Sequence, residues 1–349
     1  MRSGPPLDCT TALFLDLHHS SSTLPRWDSL TGGVPAALRE PRVSLQIAAS
    51  VAMVHGAEAG LVSRSTLHAL IDIFGGLPRN GDLVVVDEAV YPTTRCAVRI
   101  ACRPGVSVRL YQHHQPATIP RTGNRMLVVT DGWCSGCNRS APLGELRDRA
   151  GETGRLVVDD SLAFGILGRR GPGNVFGDGS GTAHWSGLDH RGVVWVASFA
   201  KAYGSPIAVT TGSAADLSPL RTTGNRLHSS PPSIPDLYAA HRALSMTAEL
   251  SRRRARLATV VSALRAGIAT LGLPVLGLPF PVIGIPLPLR TATSWWQRLR
   301  AVGIEAIVQI PRCHAGALLS FVARSEFTPS DVGRIVSALG RISESRVSA

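Results

Sequence analysis

The chain is almost without lysine. Its 36 lysines and arginines include a single lysine, Lys201, and every other long-chain cation is an arginine. Cysteine is also scarce: six residues scattered through 349 cannot form the disulfide framework of a small secreted protein. Cys134 and Cys137 have the spacing of half a zinc site, but no second pair with matching spacing follows, so the expectation is buried reduced thiols and no metal. The N-terminus has no long apolar stretch, and Asp16 interrupts its best one, which predicts a cytoplasmic protein. No uninterrupted apolar span exists either. Residues 271–289 carry no charge, yet five prolines break them, so short buried strands joined by turns are expected and a membrane helix is not. Internal repeats and low-complexity tracts are absent.

What is present fits a globular enzyme: 44% hydrophobic and 17% charged residues in a chain long enough for two lobes. The net charge of +12 reads as a solvated basic surface or as attraction for an anionic, nucleotide-bearing substrate. The arginines are scattered without a basic and aromatic stripe, which argues against nucleic acid as partner.

Several segments repeat one pattern: an apolar run, polar residues at its end, then a helix. Leu83 to Val86 ends in Asp87, Glu88 and Tyr91; the run from Met126 ends in Asp131, Trp133 and Ser135, before a helix from Leu143. Leu156 to Val158 ends in Asp159 and Asp160, and Val193 to Val196 leads to Ser198 and Lys201. The pattern predicts a largely parallel α/β sheet whose strand ends share one ligand crevice. Helical spacing over Val43 to Val54, a strand at Leu61 and Val62, hydroxyls at Ser63, Ser65 and Thr66, and an amphipathic helix through Phe74 precede it. Hydroxyls at a helix start are either plain caps or phosphate ligands.

Domain boundaries are expected at 1–42 for an N-terminal arm with His18, His19 and Trp27, and at 43–235 for the large α/β domain. A connecting helix and small α+β domain would fill 236–349, with a helix at Trp295 to Val302, strands at Ile304 to Ile310 and Ala317 to Val322, and a last helix from Ser330.

A lone lysine near apolar strands, an aspartate at a neighbouring strand tip, hydroxyls at a helix start and an aromatic ring are together the parts needed by pyridoxal phosphate. The lysine forms a Schiff base, the carboxylate keeps the ring nitrogen protonated, and hydroxyls and amides hold the phosphate.

Here the chain resembles a family. LVVDDSLAFGILG (156–168) is similar to the VDEAHSxGxxG segment, and SFAKAYG (198–204) to the TFSKAxG segment, of the α-oxoamine synthases, which are fold-type I pyridoxal phosphate enzymes. DGWCSGCNRSAPL (131–143) is similar to DSVFSMDGDIAPL, and DEAVYPTT (87–94) to DELNHAS. The resemblance implies an α/β fold of type I with a small α+β domain, and a cytoplasmic, biosynthetic transferase that joins an amino-acid-derived carbanion to an acyl thioester or nucleotide-bearing substrate. It implies Lys201 as the covalent lysine, Asp159 as the partner of the ring nitrogen, and Tyr91 where a histidine stacks on the ring. Ser65, Thr66, Ser135 and Ser198 are implied near the cofactor, and Ser229 and Ser230 as phosphate ligands offered across a homodimer. Leu162 replaces a second histidine. The arginine that holds the substrate carboxylate is missing near Ser320, with Arg312 and Arg324 as substitutes. A glycine-rich segment, 169–192, is either a disordered insertion or a lid. An aminotransferase using the same lysine and a non-catalytic pyridoxal phosphate-binding regulator are the alternatives.

Overall fold

The computed structural model describes residues 6–24, 29–171 and 174–344; Trp27, expected in the N-terminal arm, lies outside them. The chain divides into two compact units. Residues 17–133 and 140–247 form the larger, and residues 1–16, 134–139 and 248–349 the smaller.

The larger unit begins with α1 (Arg42–His55), followed by β1 (Ala59–Ser63), α2 (Thr66–Gly76), β2 (Leu83–Asp87), α3 (Pro92–Ala101), β3 (Ser107–Tyr111) and β4 (Met126–Asp131). Then come α4 (Leu143–Ala150), β5 (Arg155–Asp159), β6 (Val193–Ser198), β7 (Ala208–Gly212) and α5 (Ile234–Ser245). The strands form one sheet in the order β1-β7-β6-β5-β4-β2-β3. Only β7 runs against the rest, antiparallel to both β1 and β6. The sheet is therefore mostly parallel, as the repeated strand and helix pattern requires.

Both faces are covered, which is why the central strands are continuous apolar runs rather than alternating ones. Val84, Val86, Val129, Val157 and Val196 point to one face and pack with Leu70, Ile73 and Phe74 of α2. Val85, Val128, Leu156, Val158 and Trp195 point to the other and pack with Leu143 and Leu146 of α4. The helices start where expected for local reasons: Ser65 caps α2 by accepting from the His68 amide, and Pro92 occupies the first turn of α3.

The smaller unit holds the long helix α6 (Thr247–Thr270, from Ala248 onward), β8 (Val282–Leu287), α7 (Leu289–Ala301), β9 (Ile307–Gln309), β10 (Ala317–Val322) and α8 (Pro329–Glu344). Its antiparallel sheet runs β8-β10-β9. Two expectations are corrected here. The proline-rich stretch 271–289 yields one strand, β8, because the prolines at 274, 279 and 281 leave the first half irregular. The strand expected over Ile304 to Ile310 is split: Ile304 and Glu305 pair with Leu7 and Asp8, whereas Ile307–Gln309 pairs with β10. Among the described residues no helix is long and apolar enough to cross a membrane.

Candidate active site

The C-terminal ends of β2, β4, β5 and β6 stand side by side, so the sheet itself lines up Asp87, Asp131, Asp159 and Ser198. Asp131 and Asp159 are paired in register across β4 and β5. Lys201 follows β6 by three residues, in a turn between Ser198 and Ile207, and is half-buried. Burial pushes its ammonium below the usual lysine range, against the opposing pull of the Asp159 and Asp131 carboxylates. An amine so placed gives up its proton more easily, which is what covalent capture of a carbonyl requires.

Asp159 is buried at 8% exposure and held on both oxygens. Its Oδ2 accepts from Thr94 Oγ1 at 3.3 Å and its Oδ1 from the Ser161 amide at 3.0 Å. A carboxylate has about four lone-pair directions, so capacity remains for a proton-bearing ring nitrogen. Thr94, in the first turn of α3, is completely buried. The same helix start brings Tyr91, whose amide donates to Asp131 Oδ2 at 2.8 Å. The Tyr91 side chain is 62% exposed, which leaves its ring face available for stacking.

The expected phosphate residues separate into two groups. Thr66, at the start of α2, approaches Ser161 with 3.4 Å between the hydroxyl oxygens, which ties it to the Asp159 loop. Ser198 is buried at the end of β6, and its Oγ accepts from the Ala200 amide at 3.2 Å. Ser65 instead turns to the His68 ring, at 2.9 Å. His68 lines a small concavity with Ser63, Arg64, Arg226, Ser229 and Ser230, so these two serines gather with the α2 start from a different side. Ser135, Arg312 and Arg324 belong to the smaller unit. There Arg324 is engaged by Glu326 at 2.7 Å and by Asp16 at 3.9 Å, while Arg312 is exposed.

Asp160 has a separate task. It is 1% exposed, and its carboxylate accepts from the Thr182 amide at 2.8 Å and the Thr182 hydroxyl at 2.7 Å. Burial pushes its carboxyl up to about 7, although the Thr182 bonds pull the other way. Through it the described part of the glycine-rich segment is fastened to the site. Asn174 and Gly177 exchange bonds at 2.7 and 2.8 Å, and Phe176 is buried. The disordered reading of that segment is corrected accordingly for the described residues: an internal acceptor orders it. Leu162 is half-buried beside these groups and offers no polar atom.

Four residues shape the site without having been expected: Thr94, Ser161, His113 and His114. Thr94 and Ser161 carry no signal beyond being hydroxyls close to a motif. Two consecutive histidines after β3 are more visible: His113 Nδ1 meets Asp87 Oδ1 at 2.9 Å, and the His114 ring stacks on it at 3.7 Å between centroids. The N-terminal arm contributes as well, since His19 Nε2 lies 2.8 Å from the Tyr203 carbonyl, two residues after Lys201.

A mostly parallel sheet with a lysine and an aspartate at neighbouring strand ends defines the class of fold-type I pyridoxal phosphate-dependent transferases. The donor set fits the cofactor: an amine with a loosened proton, a buried carboxylate with spare acceptor capacity, and hydroxyls at a helix start. Comparison with known proteins then narrows the class. The chain is 31% identical over 301 residues to the 8-amino-7-oxononanoate synthase of Halorhodospira halophila, covering 83% of this chain and 72% of that protein. In fold it is similar to the 8-amino-7-oxononanoate synthase of Francisella tularensis, with a TM-score of 0.80, 20% identity and 97% of both chains covered. It is likewise similar to the serine palmitoyltransferase of Sphingomonas wittichii, with a TM-score of 0.84 and 16% identity over 98% of this chain and 88% of that one. No protein-family model matches. The chain belongs to the α-oxoamine synthase family of fold-type I pyridoxal phosphate enzymes. It is a transferase of the kind that forms a carbon-carbon bond between an amino-acid-derived carbanion and a second substrate.

Proposed function

We propose that this enzyme condenses an amino acid with an anionic acyl thioester, in the biosynthetic manner of the 8-amino-7-oxononanoate synthases, and that Lys201 and Asp159 carry the reaction. The observation behind this reading is the half-buried Lys201 amine, lowered by burial and flanked by the Asp159 and Asp131 charges. Pyridoxal phosphate, when bound, supplies an electron-withdrawing ring that makes the α-proton of an attached amino acid removable.

The protein does the rest. Lys201 Nζ would hold the cofactor covalently and, once an amino acid is in place, would carry its α-proton. Asp159 would face the ring nitrogen, and the Thr94 and Ser161 donors keep its carboxylate oriented. Tyr91 would stack on the ring. Thr66 and Ser198, with the capped start of α2 at Ser65, supply hydroxyls and amides for the phosphate. Ser135 is proposed beside the cofactor. Because Arg324 is already engaged by Glu326, Arg312 is the arginine we assign to the substrate carboxylate. The net charge of +12 suits a nucleotide-bearing thioester.

We further propose a homodimer in which Ser229 and Ser230 serve the partner's phosphate. Leu30, Leu38 and Met53 are 64, 78 and 77% exposed, apolar surface that a partner subunit would cover. A reducing cytoplasm suits the six free cysteines.

The test supplies holoenzyme with a panel of amino acids and acyl thioesters and records free thiol. Thiol release that needs both substrates and disappears in Lys201→Ala is the expected result. Keto-acid release without any thioester would replace this reading with transamination.

A further inference from the structure

Cys134, Cys137 and Cys313 converge inside the smaller unit. Two of them sit in the short segment 134–139, and the third lies 176 residues after Cys137, in the turn between β9 and β10. Their sulfur atoms lie within 4.8 Å of one another, and the Cys134 and Cys313 sulfurs are 3.8 Å apart. A disulfide needs about 2.05 Å. Two sulfurs that share a tetrahedral zinc ion, each about 2.3 Å from it, stand about 3.8 Å apart. The observed separation rules out a bonded pair and matches both a thiol-to-thiol hydrogen bond and the spacing of co-ligands.

The surrounding backbone is built for this approach. A Cβ at Gly136 would come within 2.5 Å of Cys313 Sγ and 2.7 Å of Pro311 Cβ, so only glycine lets the two segments close. Asn138 adopts a positive φ of 51°, and its amide donates to the Cys134 carbonyl at 2.9 Å. Its side-chain Nδ2 donates to the Val282 carbonyl at 2.7 Å, which fastens the segment to β8. The turn is thus shaped by interactions of its own, before any ion is added. Burial of apolar thiols alone does not gather the three, since Cys137 and Cys313 are only half-buried.

We propose that Cys134, Cys137 and Cys313 bind a thiophilic divalent cation, zinc in the cell, with a fourth ligand completing a tetrahedral structural site. The ion is a clamp. Ser135 lies between two of its ligands and Arg312 immediately before the third, so it fixes the segments that carry both residues. With the fourth ligand in place no position is left for substrate, and a positional role follows.

The test uses the full chain purified after growth with added zinc. Elemental analysis should find about one zinc per chain, and Cys134→Ser or Cys313→Ser should lower metal affinity at least tenfold, because even second-layer partners shift it by about 10–100-fold. Cys96→Ser, a thiol in α3, should retain the metal. Cobalt(II) added to the stripped wild-type chain should give the intense near-ultraviolet absorption of thiolate ligands, and X-ray absorption should count three sulfurs and one lighter neighbour. The cobalt titration needs no variant, so a misfolded mutant does not blur the outcome. No metal on the purified chain together with no thiolate absorption on cobalt addition would overturn the proposal. So would a peptide map, run without reductant on the freshly purified chain, showing a disulfide among these cysteines.

Discussion

Replacing Asp160 by asparagine should stabilise the protein far more at pH 8 than at pH 5. The Asp160 carboxyl is buried and pushed from its ordinary 3.8 up to about 7. A carboxyl raised in this way binds its proton more tightly in the folded chain than in the unfolded one. Its contribution is fully present below about pH 4 and is lost as pH climbs to about 7. Each unit of difference is worth about 1.4 kcal/mol, so the wild type forfeits about 4 kcal/mol across that window and about 3 kcal/mol of it between pH 5 and pH 8. Asparagine cannot ionise, yet it keeps both bonds: Oδ1 accepts the Thr182 amide and Nδ2 donates to the Thr182 hydroxyl. Alanine keeps neither and strands two buried polar groups, at about 1–3 kcal/mol each and at every pH. Urea unfolding of the three proteins from pH 5 to pH 8 reads the difference. The variant's advantage over wild type should grow by about 3 kcal/mol across the series. A difference that stays flat with pH would refute the buried, proton-retaining Asp160.

Further outcomes follow from other buried groups. His55 bonds Thr211 Oγ1 at 2.7 Å, and burial pushes it down to about 3. Its stabilising share is present above pH 6.5 and lost as pH falls towards 3, so His55→Gln should spare about 2 kcal/mol of the acid loss between pH 6.5 and 5 in the same unfolding assay. Gly204 has a φ of +64°, and a Cβ there would stand 2.1 Å from the Leu17 carbonyl oxygen. Gly204→Ala should cost about 2–4 kcal/mol and loosen the Lys201 turn, read as a lower thermal midpoint and faster proteolysis after residue 201; an unchanged midpoint would contradict the close approach.

The sheet was legible where burial was complete. Val84 to Val86, Val128 and Val129, and Leu156 to Val158 are apolar on both faces, and such runs have few other homes. Ser107–Tyr111 escaped notice because it is an edge strand whose first four residues are exposed, with Val108 and Leu110 alternating with Ser107 and Arg109 rather than forming a continuous apolar run. Ala208–Gly212 escaped because its two threonines look polar although the fold buries them. At the site, Lys201 and Asp159 were legible because each ends an apolar run, and the resemblance assigned them roles. Thr94 was not, since a hydroxyl in a first turn reads as a cap until a carboxylate 65 residues away is seen to accept from it. Cys313 illustrates the same limit. A thiol pair spaced for metal was visible in sequence, but its third member is brought in by tertiary structure alone.

The covalent role of Lys201 can be measured most directly by reducing the pyridoxal phosphate-loaded enzyme with borohydride, digesting it and mapping the modified peptide by mass spectrometry. The account predicts one cofactor adduct, on the peptide containing Lys201, and none in Lys201→Ala. A reduced holoenzyme without any adduct, or an adduct that persists in Lys201→Ala, would contradict it.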